Sequence, residues 1–140
     1  MTELEIQAQV ADYLRLRYPS VLFHSDFGSG IKLTMGQAIK QKRLNGGRRS
    51  WPDMFIAEPK VDLIDMIQYS GLFLELKRPN VKIYKKNGDL VANEHIREQA
   101  ALLDELHKRG YVAKFACGFD EAKKIIDEYL CGSEIEEVEF

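Results

Sequence analysis

Gly71-Leu72-Phe73-Leu74-Glu75-Leu76-Lys77, closed by Pro79, is the stretch whose reading decides the fold. An apolar run of this length between Gly and Pro predicts a buried strand. Residues two apart on a strand share a face, so Glu75 and Lys77 point the same way. Burying an acid and a base among Leu72, Phe73, Leu74 and Leu76 is costly unless both find partners. A Glu-x-Lys on a strand, taken alone, reads more simply as a solvent face. Upstream, Met54-Phe55-Ile56-Ala57 reads as a second buried strand directly after Pro52-Asp53. Both central strands therefore carry an acid where the core pattern asks for something apolar.

The flanking chain alternates in type. Thr2 with Glu5 fits a capping box, and Pro19 ends the helix it starts. Ile6, Val10, Tyr13, Leu14 and Arg17 fall on one side of it at helical spacing. Val21 to His24 reads as a short strand and Met35 to Leu44 as a short helix stopped by Asn45-Gly46-Gly47. Val61 to Ile67 fits either a short helix or a strand. Ile83 to Lys86 and Asp89 to Val91 flank Asn87-Gly88, a strong hairpin signal. A helix follows from Glu94 to Arg109, then a strand from Tyr111 to Cys117. A closing helix runs from Asp120 to Leu130 and is followed by Gly132. This order predicts an α/β fold, a mixed sheet with helices on both faces. We expect a single domain over residues 1–131 and an acidic C-terminal tail, 132–140, hanging in solvent.

The 140 residues, 45% of them hydrophobic, suffice for one core. No run approaches a membrane span, and Met1-Thr2-Glu3 lacks the pattern of a secretory signal. Cys117 and Cys131 form no Cys-x-x-Cys motif, so neither a zinc site nor a disulfide framework is expected. The expectation is a cytoplasmic protein with reduced thiols.

The net charge of -2 excludes a uniformly basic nucleic-acid binder. It conceals two acid-free blocks: Lys32, Lys40, Lys42, Arg43, Arg48 and Arg49, then Lys77, Arg78, Lys82, Lys85 and Lys86. They read either as solvated loops or as basic walls facing a phosphate backbone, and charge alone favours loops.

Two further residues shift the reading of Glu75 and Lys77. At about 100° per residue, Glu3 falls inside the apolar arc of the first helix, with Gln7 beside it. Gln99 falls amid Ile96, Leu103 and Leu106 on the later helix. Polar residues from separate elements, all directed inward, suggest one shared buried site. Asp53, Glu75 and the strand carbonyl of Leu76 supply hard oxygen ligands suited to Mg2+ or Mn2+. Such an ion would polarise a phosphoryl oxygen and activate a bound water. Lys77 would orient that water and stabilise charge on the scissile phosphate. No nucleophile elbow and no phosphate loop is present.

At these residues the sequence resembles the PD-(D/E)XK nuclease superfamily: Pro52-Asp53, 21 intervening residues, then Glu75-Leu76-Lys77. Its surroundings look like the stand-alone VRR-NUC family of phages and bacteria. There a first helix carries Glu then Gln, as in Glu3 to Gln7. A Gly-rich approach precedes the Asp, as in Asn45 to Asp53. A helix with Gln follows the Glu-x-Lys strand, as in Glu98-Gln99, and then Gly-Tyr and a strand, as in Gly110 to Phe115. The resemblance spans roughly residues 3 to 130. It implies a restriction-endonuclease-like fold with an α-β-β-β-α-β core and metal-dependent hydrolysis of DNA phosphodiesters. It implies that Asp53 and Glu75 are metal ligands, Lys77 the catalytic base-side residue, Glu3 a ligand, direct or through water, and Gln99 a residue orienting ligand or substrate. Small stand-alone members look similar to Holliday junction resolvases, which implies branched DNA as substrate and a homodimer. One departure is Glu58 to Ser70, longer than the family places between the two acids. In this light both basic blocks border the site, and DNA contact becomes the favoured reading of Lys32 to Arg49 and of Arg78, Lys82, Lys85 and Lys86. Alternatives remain: a DNA-binding module without cleavage, a flap or single-strand nuclease that needs a partner, or an unrelated α/β domain.

Overall fold

Thr2 accepts the Glu5 amide while the Glu5 carboxylate accepts the Thr2 amide, each at 3.1 Å, and this capping box starts α1 (Glu3–Arg17). The computed structural model describes residues 1–26, 32–48 and 51–138, the last seven through their backbone. After α1 come β1 (Phe23–Ser25), α2 (Met35–Leu44), β2 (Met54–Ile56), β3 (Lys60–Asp62), β4 (Ile67–Tyr69), β5 (Leu72–Lys77), α3 (Glu94–Lys108), β6 (Val112–Cys117) and α4 (Phe119–Val138). Among the described residues no helix is long and apolar enough to cross a membrane.

Four strands form one mixed sheet in the order β1-β2-β5-β6. β2 runs antiparallel to β1 and to β5, with Met54 opposite Leu74. β6 runs parallel to β5, with Leu76 opposite Ala116, so the chain must cross over between them, and α3 makes that crossover. The alternation on β5 separates its faces. Leu72, Leu74 and Leu76 are fully buried with Ile6, Val10 and Leu14 of α1 and Ile126 of α4. Glu75 and Lys77 take the other face.

The two helices on the apolar face are also joined by polar contacts. The Tyr13 and Tyr18 hydroxyls both donate to Asp127 Oδ1, at 2.5 and 2.8 Å. Burial pushes the Asp127 carboxyl up, but hydrogen bonds from Tyr13, Tyr18 and Lys123 outweigh it and hold the group below its ordinary value.

The predicted elements are present with four differences. The ambiguous stretch is a separate antiparallel hairpin, β3–β4. Asp62 Oδ1 accepts the amides of Ile64 and Asp65, and this turn-forming bond competes with a helix. The first strand lies at Phe23–Ser25, two residues later than expected. The Asn87-Gly88 hairpin shrinks to a single bridge, Tyr84 to Leu90, with Gly88 at φ +90. Its flanks are too polar and too short to extend the ladder. Lastly, the backbone of α4 runs on to Val138, past the expected stop at Gly132. A helical Gly costs only about 1 kcal/mol against Ala, and the Glu-rich continuation favours helix.

Gly71 sits where β5 meets β2. A Cβ there would lie 2.6 Å from Phe55 Cε1 and 2.9 Å from the Ile56 carbonyl oxygen. Gly71→Ala should therefore destabilise the fold by an overpacking cost of about 1–3 kcal/mol, read as a lower urea unfolding midpoint. An unchanged midpoint would mean that the strands part without cost.

Candidate active site

The site lies at the end of the sheet where β2 begins and β5 ends. Asp53 precedes β2 by one residue, and its Oδ2 accepts the main-chain amide of Leu76 at 2.6 Å. The N–H and C=O of one strand residue leave on the same side, so the Leu76 carbonyl also faces the gap beyond Met54. Glu75 and Lys77 project from β5 on one face, with Lys77 Nζ 3.9 Å from Glu75 Oε1. Gln99 reaches in from α3, and its Nε2 donates to Glu75 Oε1 at 2.6 Å. All four side chains are buried, each no more than 7% exposed.

Two carboxylates in so dry a place oppose each other. Burial raises the Glu75 carboxyl to about 9, and the charge of Asp53 adds to this; Lys77 lowers it and Glu3 raises it further. Glu3 is half-buried on α1 and its charge reaches Glu75, yet among the described residues no three His, Cys, Asp or Glu side chains converge on one point. Asp53, Glu75 and the Leu76 carbonyl still suit a hard cation such as Mg2+, which keeps most of its waters and takes one or two carboxylates. Gln99 Oε1 is buried without a hydrogen-bond partner, an acceptor left for a donor that the protein does not supply.

Gln7, expected beside Glu3, turns elsewhere. Its Nε2 donates to Ser25 Oγ at 2.5 Å and to the Asp26 carbonyl at 2.8 Å. The Asp26 amide in turn donates to the Asp53 carbonyl at 2.9 Å. Ser25 and Asp26 were not legible as site residues, because the contact depends on how β1 leaves the sheet. A row of aromatic rings beside the carboxylates was also missed. Trp51-x-Asp53-x-Phe55 and Phe73-x-Glu75-x-Lys77 do carry the period-2 signal that would have found it.

Of the basic residues, Lys32, Lys40, Lys42, Arg43, Arg48, Arg78, Lys82, Lys85 and Lys86 are exposed. Arg49 lies outside the described residues. Arg48 stands near α3: the Glu105 carboxyl, held low mainly by its hydrogen bond with Arg109, also feels the Arg48 charge. A cavity of about 840 Å3 opens between α3, β6 and α4, lined by residues such as Leu103, His107, Phe115 and Lys124. None of Asp53, Glu75, Lys77 and Gln99 lines it, so the chemistry rests on the polar cluster and not on this cavity.

The arrangement of strands and helices has a solved counterpart. The chain has the fold of a VRR_NUC domain protein. The two structures superpose with a TM-score of 0.62 over 93% of this chain and 88% of the other, at 23% sequence identity. No family model matches the sequence, and no curated protein matches it. The VRR_NUC fold accounts for the mixed sheet flanked by helices and for the α3 crossover. What the fold carries here has to be argued from the residues at the end of β5.

The raised Glu75 carboxyl has a consequence for stability. In metal-free protein the unfolded chain releases this proton near 4.5, whereas the folded chain keeps it to about 9. The folded state binds the extra proton between those values, so stability should fall as pH rises through that window. Urea midpoints in chelator should show the decline, and Glu75→Gln, which keeps an acceptor for Gln99, should flatten it. Parallel curves for the two proteins would mean that Glu75 titrates normally.

Proposed function

We propose that the protein is a VRR-NUC-type nuclease, a divalent-metal-dependent endonuclease that hydrolyses phosphodiester bonds in branched DNA. One observation carries this reading: Asp53, Glu75 and Lys77 meet, buried, on one sheet face, and in the chain an acid-free run of exposed bases precedes Asp53 and another follows Lys77. The VRR_NUC fold of the solved neighbour supports it. Asp53, Glu75 and the Leu76 carbonyl would hold Mg2+ or Mn2+, with Glu3 contributing through water. A bound ion of this kind supplies Lewis acidity toward the scissile phosphate.

The chain's own residues do the rest. Gln99 fixes the Glu75 carboxylate by its hydrogen bond. Lys77, a few ångströms from Glu75, orients the attacking water and balances charge on the phosphate in a site where the low dielectric strengthens its effect. Exposed bases from Lys32 to Arg48 and from Arg78 to Lys86 hold the backbone of the strand. A four-way junction needs two nicks, and a homodimer would supply two such sites.

Labelled four-way junction, flap, single-stranded and duplex DNA, each in Mg2+, Mn2+ or chelator, test the reading. We expect metal-dependent cutting of branched substrates, lost with Asp53→Asn. Lys77→Ala should slow cutting by roughly 10²-fold or more while binding persists. Wild-type protein that binds junctions but cuts nothing in either metal would instead be a binding module.

A further inference from the structure

The face of β2 and β5 that bears the carboxylates continues into a row of aromatic rings. The Phe55 and Phe73 ring centroids are 4.5 Å apart, Phe73 and Tyr111 5.2 Å, and Trp51 and Phe73 6.2 Å. Phe73 and Glu75 are two apart on β5, so the row begins about 7 Å from the acids at the rise of a strand. The Trp51 Nε1–H donates to the Asn45 carbonyl at 3.1 Å, which holds the indole in place.

This row is not closed off as a core. α1 and α4 pack on the opposite face; α3 covers the part of this face where Gln99 meets Glu75, while no residue of α2 is buried. Phe55, Phe73 and Tyr111 are half-buried and Trp51 is 37% exposed. Exposed bases flank these residues in the chain, with Arg48 three residues before Trp51 and Arg78 directly after Lys77. The rings are not coplanar: Trp51 is tilted by 50° to Phe73, and Tyr111 meets Phe73 edge-on. They brace one another and leave the Trp51 indole as the exposed face, which beside positive charge fits a nucleobase whose own phosphates follow the bases.

We infer that Trp51, braced by Phe73, Phe55 and Tyr111, forms a stacking shelf for one unpaired base next to the scissile phosphate, so that among branched DNAs those with an unpaired segment at the branch are the preferred substrates. This rests on the nuclease reading above. Every base has a π-face, so the shelf tolerates any sequence. Bases of an intact duplex are stacked on one another and cannot reach it.

Trp51 is the only tryptophan, so its emission reports on the shelf directly. The full chain, in chelator, is titrated with single-stranded oligothymidylate, with an abasic oligomer of equal length and charge, and with duplex. We expect the oligothymidylate to quench Trp51 and to bind about tenfold more tightly than the abasic oligomer, the size expected of one stacked base. Duplex should leave the emission unchanged. With binding followed by the anisotropy of end-labelled oligomers, since these variants lack the tryptophan, Trp51→Ala should bring oligothymidylate down to the abasic level, and Trp51→Phe should retain most of the difference. Equal affinity for the two oligomers without quenching overturns the shelf, as does absence of binding or a Trp51→Ala variant with wild-type preference. Should Trp51→Ala fail to fold by circular dichroism, the abasic comparison on wild type decides alone. Wild type that quenches but cuts no DNA in Mg2+ or Mn2+ refutes the nuclease reading and leaves the shelf standing. Wild type that cuts but does not distinguish the oligomers refutes the shelf.

Discussion

The hydrogen bond from the Leu76 amide to Asp53 Oδ2, at 2.6 Å, is the contact on which the rest of the site depends. It joins the start of β2 to the end of β5 one step beyond the last paired residues, Met54 and Leu74. The Leu76 side chain is fully buried against the helices behind the sheet, so the amide cannot shift without disturbing the core. The packing of α1 and α4 is thereby transmitted to a carboxylate on the other face. The main chain of Asp53 is held independently, through Asp26 and the buried Gln7. Two supports from different elements give the rigidity that a reactive constellation requires.

The same rigidity creates electrostatic tension. Asp53 and Glu75 cannot move apart, and water reaches neither freely. The outcome is a Glu75 carboxyl raised to about 9, a state that favours a proton or a cation over a bare negative charge. The polar cluster is therefore sustained by the apolar face. Ile6, Val10, Leu14, Leu72, Leu74, Leu76 and Ile126 supply the burial that offsets it.

Antiparallel pairing of β2 and β5 also explains why the long segment between them is compatible with the site. β2 leaves the sheet, and β5 enters it, at the end opposite Asp53. The β3–β4 hairpin is confined to that end, where Lys60 Nζ donates to the Glu128 carbonyl and the Tyr129 hydroxyl to the Glu58 carbonyl. Extra length there leaves the separation of Asp53 and Glu75 unchanged, because the ladder between Met54 and Leu74 sets it.

The elements of the sheet and most of the polar cluster were legible from sequence because they obey short-range rules. Thr2 and Glu5 declare a helix start by their spacing. The run from Gly71 to Pro79 declares a strand, and Gln99 stands out as a polar residue on an apolar arc. Period and spacing are local properties of the chain, and they determined which residues face inward. They did not determine what those residues meet. Glu3 and Gln7 look equivalent on the α1 arc, yet one acts on Glu75 by charge and the other grips Ser25 and Asp26. The hairpin over Val61 to Ile67 turns on the Asp62 carboxylate, which accepts the amides of both Ile64 and Asp65. The aromatic row needed the register of β2 against β5 to bring Trp51, Phe55 and Phe73 together. Such contacts join residues far apart in the chain, and their energies exist only once the sheet has formed. The sequence by itself determined the strands, the helices and the inward acids, and only the tertiary structure decided the partners of each.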